Sequence, residues 1–169
     1  MANIYEISNF SAAANYSKND IVIQGGNYRY ALDTVTASAF DESEWGGIES
    51  DEIDGTVRPE FFWKPSFQSS GTHRPKAVSI QFGDGYSQRS PDGINSTLLS
   101  VNYTFDGCDE RRAKAILHFL EIREGYETFL FTPHFPYGTQ KRFVCKSWQD
   151  SSIFYNNYTI NAEFTEVPI

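Results

Sequence analysis

Methionine and cysteine are scarce in this sequence of 169 residues, which has one Met and two Cys. Cys108 and Cys145 are too few for a disulfide framework and are not spaced as metal ligands, so two reduced, buried thiols are expected. No apolar run approaches the roughly 18 residues that cross a bilayer, and the N-terminus lacks a basic stretch followed by an apolar one. These absences predict no membrane insertion and an uncleaved cytoplasmic product. Lys and Arg are missing from residues 33–54, where Asp33, Asp41, Glu42, Glu44, Glu49, Asp51, Glu52 and Asp54 stand. The 14 acids elsewhere match the 14 bases, so the net charge of -8 belongs to that one segment. Clustered cations for gripping phosphates are also missing, since Arg111-Arg112 and Lys141-Arg142 are isolated pairs.

Aromatic residues are plentiful instead, 16% of the chain with 14 Phe and 10 Tyr, a composition that suits strands better than long helices. The fold class expected is mainly β: a small β-hairpin module followed by a β-sandwich or barrel-like domain with one α-helix. Asp20-Ile21-Val22-Ile23, the turn Gln24-Gly25-Gly26-Asn27 and Tyr28-Arg29-Tyr30-Ala31 read as that hairpin. The acidic stretch after it, rich in Gly, places a linker near residues 48–58. The division is therefore residues 1–55, module and linker, and residues 56–169, the larger domain.

In the larger domain, residues 77–82 read as a strand stopped by Gly83-Asp84-Gly85. Leu99, Val101, Tyr103 and Phe105 alternate with polar residues, the period of a half-buried strand. Over residues 109–124, Ala113, Ile116, Leu117 and Leu120 fall at helical spacing on one stripe, and Gly125 is the expected stop. Strands follow at residues 128–131, at residues 142–148 and around Ile160, Ala162 and Phe164.

Chemistry finds little support. Either cysteine could be paired with His73, His118 or His134, but no flanking motif marks a nucleophile. The 22 acids offer many carboxylate pairs without singling one out for glycoside hydrolysis. Asp51-Glu52-Ile53-Asp54-Gly55 lacks the length and alternation of a calcium loop. Gly83-Asp84-Gly85 lacks the following Lys and Ser or Thr of a phosphate loop. A tight turn accounts for it better: two glycines permit positive φ on both sides of Asp84, and Phe82 and Tyr86 would anchor the strands in the core. Gln88 and Arg89 would then project from a rigid hairpin, suited to hydrogen bonds between subunits. No enzyme activity, cofactor or metal is expected.

Phe62-Trp63-Lys64-Pro65-Ser66, then Phe82-Gly83-Asp84-Gly85-Tyr86-Ser87-Gln88-Arg89, then Asp92-Gly93-Ile94-Asn95 follow one another in a distinctive order. Phe119-Leu120-Glu121, Gly125, Phe143-Val144-Cys145-Lys146-Ser147-Trp148 and a last strand through Phe164 complete the series. Over about residues 60–169 this resembles the phage minor tail proteins related to the M protein of lambda-like tails. The resemblance implies a structural subunit of the virion, at the tail tip. It would be a distal ring, most simply a hexamer, between the tail tube protein and the baseplate hub proteins, with DNA only in transit through the lumen. Phe82, Gly83, Asp84, Gly85, Tyr86, Gln88 and Arg89 are its expected assembly hairpin.

Residues 1–47 depart from that family. Tyr16-Ser17-Lys18-Asn19-Asp20-Ile21-Val22, Gly25-Gly26-Asn27-Tyr28-Arg29-Tyr30-Ala31 and Trp45 resemble the small chitin-binding-type carbohydrate modules. That resemblance implies stacking of Tyr28, Tyr30 and Trp45 on a host glycan. It carries the alternative function, an adhesion protein for surface glycans, against which stands a plain core role for the same aromatics.

Overall fold

A computed structural model describes the chain except for residues 1–4, 48, 52–55, 67–68, 74, 95–96, 135 and 169. Strands β1 (Ile21–Gln24) and β2 (Asn27–Ala31) form the expected hairpin. Its turn places Gly25 and Gly26 at φ 60° and 82°, which a side chain would resist. Strand β3 (Trp45–Gly46) joins the far edge of β2, giving a small antiparallel sheet in the order β1-β2-β3. Strands β4 (Glu49–Asp51) and β5 (Thr56–Arg58) pair where a linker was expected, and residues 48 and 52–55 of that stretch lie outside the described residues.

The rest is built from β6 (Ser69–His73), β7 (Ala77–Gln81), β8 (Ser87–Pro91), β9 (Leu99–Cys108), helix α1 (Glu110–Glu121), β10 (Phe129–Phe131), β11 (Lys141–Phe154) and β12 (Asn157–Glu166). Five of these strands make one antiparallel sheet in the order β10-β11-β12-β9-β6. Of the two architectures expected, the barrel-like one is found: a single sheet curls into a half-barrel. Residues 59–66 run across its open side as a strap. At one end Phe61 N–H donates to the Leu130 carbonyl at 2.8 Å, and at the other Ser66 N–H donates to the Thr104 carbonyl at 2.8 Å.

The strap delivers Phe61 to the centre of the core. Its ring lies 5.0–5.9 Å from the rings of Trp63, Phe105, Phe119, Phe129, Phe131 and Phe164. Most of these contacts are tilted or edge-to-face, as ring quadrupoles prefer. Strand β9 keeps its predicted alternation, with Leu99, Val101, Tyr103 and Phe105 buried. Asp109 caps α1 by accepting from Arg112 N–H at 3.3 Å. The helix ends earlier than expected, at Glu121, because residues 122–127 continue as turns with Glu124 and Gly125 at φ 45° and 72°.

The first segment is not tethered loosely to this body. Side chains of β2 alternate between two cores: Tyr30 enters the main core, while Ala31 joins Val22, Val35 and Trp45 in a smaller one. Across the junction, Trp63 Nε1 donates to Asn19 Oδ1 at 3.0 Å, and Tyr30 Oη lies 3.0 Å from His118 Nδ1.

Candidate functional site

Among the described residues, strands β7 and β8 pair only with each other, so residues 76–92 form an arm that leaves the half-barrel. Asp92 N–H donates to the Lys76 carbonyl at 3.0 Å to close its base, and Phe82 N–H donates to the Tyr86 carbonyl at 2.8 Å at its tip. Directly paired residues share a face in an antiparallel ladder. One face therefore carries Val78 and Ile80, opposite Ser90 and Gln88, and the other carries Ser79 and Gln81, opposite Arg89 and Ser87. Val78, Ile80, Phe82 and Tyr86 are all exposed, an apolar stripe without cover from the described residues of this chain.

Two expectations for the turn change. Phe82 and Tyr86 do not anchor a core; they are 49% and 67% exposed, with ring centroids 5.9 Å apart. Among the described residues no third strand or helix lies over the arm, so its aromatics have no interior to enter. Positive φ falls on Asp84 and Gly85, at 65° and 79°, whereas Gly83 has an ordinary φ. Gln88 and Arg89 are exposed as expected, but they lie on opposite faces of the ribbon.

The aromatics singled out for sugar stacking are largely internal. Tyr30 is 1% exposed and Trp45 is 4% exposed, each ringed by other aromatics: Phe62, Trp63 and Phe119 around the first, Phe10, Tyr16 and Phe40 around the second. Neither offers a free ring face. Tyr28 is half-buried, with its ring edge-on to His118 at 4.6 Å. The three are not gathered into one platform.

A cluster that the sequence did not announce lies at the junction between the first segment and α1. His118 is buried among the rings of Tyr5, Tyr28 and Tyr30. Burial, followed by the charges of Arg123 and Lys114, holds its pKa down at about 4. Arg123, also buried, lies 3.5 Å above the Phe119 ring and donates from Nη1 to the Phe119 carbonyl. Phe119 stands three residues after Ile116, a helical spacing that could have added it to the stripe; His118 was weighed only as a partner for a cysteine, and nothing marked Arg123.

Both thiols are buried and free. Burial raises the pKa of Cys108, and it pushes that of Cys145 up to about 12, the opposite of what a nucleophile needs. Among the described residues, no group of three or more His, Cys, Asp or Glu side chains is placed to hold a metal ion.

What the half-barrel presents is thus an exposed arm with an apolar stripe. Residues 59–168, from the start of the strap to the end of β12, match the model of the phage minor tail protein family. Tail tip protein M of Escherichia phage lambda is 32% identical over 107 residues, 63% of this chain and 95% of that protein. Tail tip protein M of Escherichia phage N15 is 38% identical over 77 residues, 44% of this chain and 65% of that protein. A solved chain from the tail of an empty GTA particle, computed with C6 symmetry, superposes with TM-score 0.44 at 11% identity, covering 78% of this chain and 96% of its own. The chain belongs to the phage minor tail protein family. It is a structural subunit of a bacteriophage tail.

Proposed function

We propose that copies of this chain form a ring at the tail tip, joined through the arm of residues 76–92. The observation that carries the proposal is the apolar stripe of Val78, Ile80, Phe82 and Tyr86, exposed on a ribbon whose two edges no described strand pairs with. A lone two-stranded ribbon is marginal in water, and its open edges invite pairing. A second copy is the occupant that satisfies every arm at once, because a closed ring gives each arm the same neighbour. Six copies would surround the DNA in transit without gripping it, between the tail tube protein and the hub proteins. Residues 1–47 would take the outside of the ring or meet neighbouring baseplate subunits. The role needs no catalytic group and no cofactor.

The test is the mass of the purified full chain, by native mass spectrometry and by electron microscopy of particles, for the parent and for Ile80→Asp. Covering one Ile side chain contributes about 1.5–3 kcal/mol, and a buried carboxylate reverses the sign. The parent should form rings, and Ile80→Asp should stay monomeric with the circular-dichroism spectrum of the folded chain. A parent that remains monomeric at every concentration tried, or virions complete without this chain, would refute the ring.

A further inference from the structure

Between the β1–β2 turn, the β5 region and the C-terminal end of α1 lies a cleft of about 510 Å³. Its chemistry is carried by Asn27, Tyr28, Arg29, Glu42, Arg123 and Glu127. The two guanidinium groups are held in place from behind. Arg123 is 7% exposed and is fixed by the Phe119 carbonyl, the Phe119 ring and the Tyr30 hydroxyl. The Arg29 side chain is 12% exposed, and among the described residues its charged partner is Glu42, at 2.9 Å from Nη2.

Each guanidinium has more N–H donors than acceptors around it. Nε of Arg29 and Nε of Arg123 are both buried without a hydrogen-bond partner. Unsatisfied buried donors are costly, and two of them at one cleft call for an acceptor that the described residues do not supply. Burial lowers the pKa of Arg123 to about 10, so an anion in the cleft would favour its charged form. Glu42 stands in for such an anion: its side chain is 75% exposed and can swing aside when a better placed carboxylate arrives.

We propose that this cleft binds an acidic sugar, with its carboxylate on Arg29 and Arg123 and its ring against Tyr28. Guanidinium groups recognise carboxylates through paired N–H donors. The half-buried Tyr28 ring gives sugar C–H groups an apolar contact, and Asn27 and Glu127, both exposed, suit hydroxyls at the rim. The volume fits a ring-shaped ligand better than a point anion. The surrounding acidic segment, with a net charge of -8 for the chain, disfavours dense polyanions and tolerates one carboxylate per sugar. The site does not depend on ring formation, and it does not use Tyr30 or Trp45 as stacking platforms.

Calorimetric titration of the full chain tests this with uronic-acid and sialic-acid oligosaccharides, a neutral galactose oligomer and a triglutamate peptide. At least one acidic sugar should bind saturably, and at least tenfold more tightly than the neutral oligomer or the peptide. Arg29→Gln and Asn27→Asp should each weaken that binding at least fivefold, and Glu42→Gln should strengthen it, all with unchanged melting. Asn27 is exposed, so its variant still reads the cleft if Arg29→Gln fails to fold. No binding of any acidic sugar overturns the proposal, as does equal binding of triglutamate or equal binding by the Asn27→Asp variant.

Discussion

Asp84 sits at φ 65° and ψ 23°, in the left-handed region that Asp tolerates better than most residues because its short polar side chain suits turns. Gly85 follows at φ 79°, with open space where a Cβ would stand. The constraint there is backbone conformation alone. Gly83 also has open space but no unusual φ, so the two glycines of the motif are unequal. Gly85→Val should weaken the turn by about 1–2 kcal/mol, the cost of forcing a side chain into the left-handed region. Gly83→Ala should change it little. Hydrogen exchange of the arm amides, residues 77–91, is the measurement: faster in the Gly85 variant, unchanged in the Gly83 variant, with global melting the same in both. Equal effects would mean that the turn is held otherwise than its dihedral angles indicate. The turn itself was legible in Phe82-Gly83-Asp84-Gly85-Tyr86. The environment of its aromatics was not, because a strand pattern records that a face is apolar and not whether the chain's own core or another molecule covers it.

Helix α1 carries the same lesson at the scale of an element. Its stripe of Ala113, Ile116, Leu117 and Leu120 was readable, and three of the four are buried with Leu117 packed against them. Ala115, His118 and Phe119 are buried as well, which widens the covered face beyond one stripe. The extra cover comes from residues outside the helix, Tyr5, Tyr28 and Tyr30 around His118 and Phe61, Trp63 and Phe129 around Phe119, and a histidine in a helix gives no hint of burial. That cover makes stability depend on pH. The folded pKa of His118, about 4, lies below its ordinary value of 6.5, so the folded chain holds this ring neutral where the unfolded chain protonates it. The stabilisation is complete above pH 6.5 and is lost as pH falls towards 4, to a limit of about 3 kcal/mol. Arg123 and Lys114 add to the cost of protonation, whereas the Tyr30 hydroxyl only hydrogen-bonds the neutral ring. Urea midpoints for the parent and for His118→Asn at pH 7 and pH 4.5 separate this from carboxylate titration. The parent should lose more stability over that interval than the variant; parallel losses would show that His118 does not titrate as its surroundings require.

For the whole molecule, the question is whether residues before and after the strap unfold as one. The family match begins at residue 59 and runs to residue 168, leaving the first segment outside it. Composition placed a boundary in the same region, but no periodicity could say whether the pieces touch. The packing answers through β2, whose Tyr30 fills the main core while Ala31, next to it, fills the small one. A strand shared between two cores couples them, since neither can open without stripping the other of a wall. Trp63 adds to this, buried in the main core with its indole N–H on Asn19 of the first segment. The expected behaviour is one cooperative transition, with equal calorimetric and van't Hoff enthalpies. The three tryptophans permit a local check, because Trp45 lies in the small core, Trp63 at the junction and Trp148 packed against the main core. Fluorescence from variants that retain one Trp at a time should give the same midpoint in urea. Tyr30→Ala should cost about 3–5 kcal/mol and lower all three midpoints together. If Trp45 melts before Trp148, or if Tyr30→Ala lowers the Trp45 midpoint alone, the first segment is a separate folding unit.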